Sequence, residues 1–380
     1  MKTIGVVTGS RADYGILRPL LRAIEADPTL SLSLMVTGMH LSPEFGATVK
    51  DIEREGFRID EQIEMLLASD TPEAIGKSMG LGTIGFSQVF ARRRPDILLA
   101  LGDRFEIHAA VVAALPFKIP VAHLHGGEAT EGAFDDALRH SITKFSHLHF
   151  VATEEYRCRL IQMGEEPWRI TVSGALAVDN IRTTKFLTRE ELEAKVGLSL
   201  DRPPLLVTFH PVTMEFEQTE WHVGELLEAL RQFDRPVVFT MSNADTQGRR
   251  ITQKIREFVS RHTRSRLVEN LGTQSYFSLM AHAAAMVGNS SSGLIESSSF
   301  CLPVVNIGTR QNGRVRAANV IDVGYRREEI CSGIRQALGP EFRANLKGLK
   351  NPYGDGHATE IIIGRLKQVV LDDSLLVKRW

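Results

Sequence analysis

Only three cysteines occur in 380 residues, Cys158, Cys301 and Cys331. Their odd number and the lack of any Cys-x-x-Cys leave no basis for a disulfide framework or a cysteine-bound metal. Long apolar runs are missing too. The nearest, Ala109 to Leu115, stops at Pro116, well short of a bilayer, and the run Ile4 to Val7 is a strand's length rather than a signal-peptide core. Neither sign of charge prevails. Lys plus Arg number 45 against 46 Asp plus Glu, a formal net charge of -1, so nothing global draws the chain to nucleic acid or to an anionic membrane. A hydrophobic content of 43% beside 24% charged residues excludes the disordered and fibrous classes. A soluble, cytoplasmic protein is expected, and the length suits two domains of comparable size better than one core.

What is present is a repeating pattern of apolar strand, turn and amphipathic helix. Strands are expected at Thr3 to Thr8, Leu32 to Thr37, Ile97 to Leu101, Val121 to His125 and His149 to Ala152. Between them fall helices at Ile16 to Ala26, Pro43 to Glu55, Gly76 to Arg93, Phe105 to Leu115 and Asp135 to Lys144. The pattern pauses over Thr183 to Pro204, where charges, one short helix and Pro203-Pro204 read as a linker. It then restarts, from the strand Leu205 to Phe209 through the strand Pro303 to Ile307. Strands that are apolar throughout and alternate with helices predict parallel sheets covered on both faces. The expected fold is α/β, with two doubly wound, Rossmann-like domains, residues 1–180 and 181–358, and a closing segment 359–380. In such sheets ligands bind beyond the carboxyl ends of the strands, which predicts a shared site in a cleft between the two domains.

The most informative strand end is Gly288-Asn289-Ser290-Ser291-Ser292-Gly293-Leu294-Ile295-Glu296, after the apolar run Ala283 to Val287. A glycine-bracketed serine run before a helix offers hydroxyls and backbone N–H groups to a phosphate. Glu296, about a turn further on, is placed to accept from a vicinal diol such as a ribose. A solvated, capped Ser/Gly loop would look the same in isolation, so the other strand ends matter. Gly9-Ser10-Arg11-Ala12-Asp13-Tyr14-Gly15 follows the first strand, and Gly102-Asp103-Arg104, two opposite charges side by side, follows Ile97 to Leu101. His123-Leu124-His125-Gly126-Gly127-Glu128 closes another strand, with Glu131 and Asp135-Asp136 beyond. On a strand His123 and His125 would share a face, so zinc is a rival reading; His147 and His149 form a separate His-x-His on a different strand. Asp103, Glu128 and Asp135 supply carboxylates for acid/base work. In the second half the strand ends carry His210, Asn243, the serine run and Arg310, a ring suited to a nucleotide diphosphate.

Those segments, together with Arg139-His140-Ser141-Ile142-Thr143-Lys144 and Gly308-Thr309-Arg310-Gln311, occur in one collinear order along nearly the whole chain. In that order they resemble the hydrolysing UDP-N-acetylglucosamine 2-epimerases of bacterial sialic acid synthesis. The resemblance implies a fold of the glycosyltransferase-B type, with a C-terminal helix, Thr359 to Val370, crossing back to the first domain. It implies no cofactor and no metal, a nucleotide-sugar substrate and a homo-oligomer, dimer or tetramer. By matching motif, Arg11, His210, Asn243, Ser290, Ser291 and Arg310 would hold the diphosphate and its nucleoside, Glu296 the ribose, and Arg104 would stand near the leaving group. His125 stands where the animal enzyme and the non-hydrolysing epimerases carry glutamate. Asp103, His125, Glu128, Asp135 and His210 are the candidate catalytic residues, with base and acid unassigned among the first four. Related enzymes take a UDP-linked diacetamido-trideoxy sugar or GDP-N-acetylglucosamine in legionaminic acid pathways.

Overall fold

A computed structural model describes residues 1–69, 71–131, 134–241, 248–269 and 271–379. The chain divides into two compact units. The first holds Met1–Glu128, Phe134–Asp179 and the segment from Gly354; the second holds Ala129–Ala133 and Asn180–Tyr353.

Among the described residues the first unit is built on seven strands: β1 (Lys2–Thr8), β2 (Leu30–Thr37), β3 (Glu61–Ile63), β4 (Ile97–Leu101), β5 (Val121–Leu124), β6 (Leu148–Val151) and β7 (Ile170–Val172). They pair in the order β3-β2-β1-β4-β5-β6-β7, every neighbour parallel. One face of the sheet is covered by a cluster that includes Leu17, Leu20, Leu21 and Ile24 of the helix Arg11–Ala26. The other is covered by Phe86, Val89 and Phe90 of the helix Pro72–Arg92 and by Ala110 and Val111 of Phe105–Ala114. The helix Ala358–Gln368 belongs to the first cluster, burying Ala358, Ile362 and Leu366 there. The second unit carries β8 (Leu205–Thr208), β9 (Val237–Thr240), β10 (Ser265–Val268), β11 (Ala285–Gly288), β12 (Val304–Ile307) and β13 (Val320–Val323). Their order is β10-β9-β8-β11-β12-β13, again all parallel. In each unit the winding reverses once, between β1 and β4 and between β8 and β11, and beyond those strand ends a ligand crevice is expected.

Several local expectations change. The segment Thr183 to Pro204, expected as a linker between domains, belongs to the second unit: Leu192, Val196, Leu198 and Leu200 are buried in its core. Its helix, Arg189–Val196, starts from a capping box between Thr188 and Glu191, and its charges lie outward. The helix expected over Pro43 to Glu55 breaks at Gly46 (φ 86°) and Ala47 (φ 44°), both left-handed, leaving a 3-10 turn and a short helix Val49–Arg54. The edge strands β3, β7 and β13 carry no apolar run long enough to announce them. Among the described residues no helix is long and apolar enough to cross a membrane.

Candidate active site

At the switch point of the first unit, Ser10 closes β1 in extended conformation, and its hydroxyl accepts the Asp13 N–H at 3.3 Å to cap the following helix. Asp13 is 9% exposed, and its Oδ2 is buried. Burial chiefly pushes the carboxyl up to about 6; Arg104 pulls against that shift, while Glu106 and Asp103 add to it. Arg11 is exposed, 3.8 Å from Asp51. Asp103 and Arg104, opposite charges side by side in the sequence, each bond to another residue. Asp103 bonds to the buried Arg139, and Arg104 forks onto Glu106. The cause is the backbone of Arg104, extended at φ -69°, ψ 148° as the N-cap of Phe105–Ala114, which turns the side chain back over the first turn.

The reading of His123 and His125 as neighbours on one strand face also gives way. β5 ends at Leu124, and His125 sits in the left-handed region at φ 64°, its N–H donating to the Phe150 carbonyl. His123 is a strap inside the sheet: its Nε2 lies 2.8 Å from the Gly102 carbonyl and its Nδ1 3.1 Å from Thr143. Burial holds it down at about 3, so it is neutral. His125 instead sets Nδ1 2.6 Å from the buried Glu128 carboxylate. A carboxylate there holds a proton on Nδ1. The ring's Nε2 is buried without a hydrogen-bond partner among the described residues. Arg139 stands in the field of Asp103, Glu128 and Asp136, which gathers these groups into one neighbourhood. Asp135 opens the helix Asp135–Phe145 that carries Arg139 one turn later. His149 and His147 are structural: His149 bonds Glu165 at 2.9 Å, and His147 accepts the Val121 N–H at 3.1 Å.

In the second unit Gly288 ends β11 at φ 136°, where a Cβ would stand 1.9 Å from the Thr208 carbonyl oxygen, so only glycine lets β11 approach β8. Asn289 then bridges the two strand ends, accepting the His210 N–H at 2.7 Å and donating to the His210 carbonyl at 2.8 Å. This buried amide sets His210 beside the serine turn. Desolvation first, and then Arg310, holds the imidazole well below its ordinary range, so it is neutral, and its Nδ1 has no partner among the described residues. Arg310 and Gln311 both donate to the Asn289 carbonyl, at 3.1 and 2.8 Å. Ser290, Ser291 and Glu296 are each part-exposed on this edge. The helix after the serines is shorter than expected: one turn, Ser292–Ile295, then a 3-10 turn, Ser297–Phe300, closed by left-handed Cys301. So short a helix has little dipole, and what this turn offers an anion is hydroxyls and loop N–H groups. Asn243 lies outside the described residues.

Three groups escape a rule that looks only just past strands. Glu106 is one, two residues after Arg104. Tyr276, inside the helix Gly272–His282, is another; burial, with the charge of Glu296 behind it, pushes its phenol up, and Ser292, Thr208 and Ser290 stand against it. Glu215 is the third, 2.6 Å from both Tyr325 and Thr309 at the end of β12. No sequence signal marked them, because each is brought to its partners by the fold and not by its neighbours in the chain.

The sequence matches the profile of the family described as UDP-N-acetylglucosamine 2-epimerase over residues 22–367. It is 42% identical over 346 residues, 90% of this chain and 89% of the relative, to the "GDP/UDP-N,N'-diacetylbacillosamine 2-epimerase (hydrolyzing)" of Campylobacter jejuni. The chain belongs to the UDP-N-acetylglucosamine 2-epimerase family. A second relative in this family, the "UDP-N,N'-diacetylbacillosamine 2-epimerase (hydrolyzing)" of Legionella pneumophila, is 38% identical over 379 residues, covering 100% of this chain and 99% of that one. Among solved structures, the UDP-GlcNAc 2-epimerase from Neisseria meningitidis bound to UDP-GlcNAc superposes with a TM-score of 0.83 at 20% identity, covering 97% of this chain and 100% of that one. At that identity the likeness bears on the fold, two parallel-sheet α/β units of the glycosyltransferase-B type. The family's resemblance inferred from the motifs therefore holds across the chain.

Proposed function

We propose that the protein is a hydrolysing 2-epimerase that converts a nucleotide-linked 2-acetamido sugar to the free manno-configured sugar and a nucleoside diphosphate. The relatives that are 42% and 38% identical favour N,N'-diacetylbacillosamine as the sugar. UDP-N-acetylglucosamine and GDP-N-acetylglucosamine are the second reading, since nothing in the motifs reads the substituents at C4 and C6. The setting is the cytoplasm, and the assembly a homo-oligomer.

The C2 hydrogen of such a sugar is not next to a carbonyl carbon, so a carboxylate cannot remove it directly. The C1–O bond loosens first, its electron pair leaving with the diphosphate, and C1 gains oxocarbenium character. The acidified C2 proton passes to a protein base and a C1=C2 glycal forms. Water then adds, hydroxyl to C1 and a proton to C2 on the opposite face, which inverts C2. Arg11, Arg104, His210, Asn243, Ser290, Ser291 and Arg310 hold the nucleotide; of these Arg104, His210 and Ser290 meet the departing charge, each lowering the barrier by on the order of 3 kcal/mol. Glu296 takes the ribose. Asp103, His125, Glu128 and Asp135 are the acid/base set.

One observation carries this reading: an imidazole whose Nδ1 is fixed by Glu128 at 2.6 Å while its Nε2 is buried without a partner among the described residues. Such a group is poised to take or give a proton. The test supplies each of the three nucleotide sugars separately in deuterium oxide. Release of nucleoside diphosphate with donor alone, and deuterium at C2 of the product, is expected; a product without deuterium at C2 would falsify the mechanism, and no release without an acceptor sugar would mark a glycosyltransferase.

A further inference from the structure

We propose that Glu106 is a positioning residue that acts through Arg104, resting on the reading above in which Arg104 meets the departing diphosphate. The carboxylate is wholly buried, with 0% of its side chain exposed, against 26% for Arg104. Its two oxygens take both donors of the guanidinium edge, Nε at 3.1 Å on Oε2 and Nη2 at 2.8 Å on Oε1. Residues two apart do not meet on a helix; here they do because Arg104 is the extended N-cap. A bidentate fork fixes the plane of a guanidinium as well as its place, which a single contact cannot do.

The backbone around the pair is shaped to hold it. A Cβ at Gly38 (φ 60°) would stand 3.0 Å from both Cγ and Oε1 of Glu106, and one at Gly9 would stand 3.2 Å from its Cβ. The chain leaves side-chain room at two separate strand ends, after β1 and after β2, where Glu106 sits. A competing acceptor is at hand: the Asp13 carboxyl feels Arg104, and its Oδ2 is buried with no hydrogen-bond partner among the described residues. With Glu106 neutralised, the guanidinium is drawn toward Asp13 and away from the orientation the fork imposes. Glu106 therefore serves the barrier rather than the grip on the ground-state substrate.

The experiment is a double-mutant cycle on the full-length chain, using the donor that the wild-type protein turns over: Glu106→Gln, Arg104→Ala and both together, with Glu106→Asp as the conservative variant. Glu106→Gln is expected to lower kcat by about a hundredfold with KM changed by less than about threefold, the pattern of a lost transition-state contact. Glu106→Asp should restore part of that loss. In the Arg104→Ala background the glutamine should change kcat by less than about threefold. If Glu106→Gln does not fold, the cycle is run with Glu106→Asp under the same requirement. Additive losses, or a fall in Tm with kcat intact, overturn the positioning role while leaving the epimerase reading in place. A wild-type chain that releases no nucleoside diphosphate from any donor overturns both.

Discussion

Asp13 shows what the fold does to a single carboxyl. It is buried beside Arg104, Glu106 and Asp103, and its ordinary value of 3.8 rises to about 6. Below 3.8 the group is protonated whether the chain is folded or not. Between 3.8 and about 6 the folded chain holds the proton more tightly, so stability falls as pH rises through that window and is flat above it. Asp13→Asn should therefore be more stable than the wild type at pH 7 by on the order of 2 kcal/mol, with the gain fading as the pH is lowered toward 4. Urea unfolding of both chains across that range checks it; an equal difference at both ends would sink the assignment. His125 is the other residue whose chemistry comes from its surroundings, since left-handed backbone and Glu128 together choose which nitrogen is tied and which is left buried without a partner among the described residues.

Elements in this chain meet through their ends as much as through their faces. The closest case is β8 against β11, where Gly288 gives up a side chain so that Asn289 can bond both backbone groups of His210. Asn289→Ala leaves a buried N–H and a buried carbonyl without that partner. The expected cost is about 3 kcal/mol, read by urea unfolding of the second unit, together with a loss of nucleoside diphosphate binding read by calorimetry. Unchanged binding would show that the amide does not set the loop. The helix Arg11–Ala26 illustrates the ordinary case: its Leu17, Leu20, Leu21 and Ile24 recur at helical spacing and all four are buried, so its packing follows from period alone.

For the whole molecule, the last residues complete the first unit. Asp179 caps the returning helix by accepting from the N–H groups of Ala358 and Thr359 at 3.0 and 2.6 Å. Lys2 donates to the carbonyls of Leu366, Lys367 and Val369, and the buried Arg169 donates to those of Ser374, Leu375 and Val377. Ala358, Ile362, Leu366, Val369 and Leu375 complete a core cluster. Their burial contributes on the order of 7 to 12 kcal/mol, comparable with a domain's whole net stability. A chain ended after Tyr353 should fail to hold the first unit folded, seen as rapid proteolysis of residues 1–179 with the second unit protected. Survival of a protease-resistant first unit would refute this.

The alternation of apolar strands with helices, and with it two doubly wound parallel sheets, could be read from the sequence because period and apolarity are local properties. So could the strand-end motifs, since glycine, serine, histidine and arginine after an apolar run need no distant partner to be noticed. Edge strands such as β3 and the broken helix after Pro43 were not legible, because pairing with a neighbour and two left-handed residues decided them. Nor could the sequence say that Asp103 belongs with Arg139, or that Arg104 belongs with Glu106. Ion pairs and tautomers depend on which groups lose water together, and that is settled only when elements far apart in the chain are packed side by side.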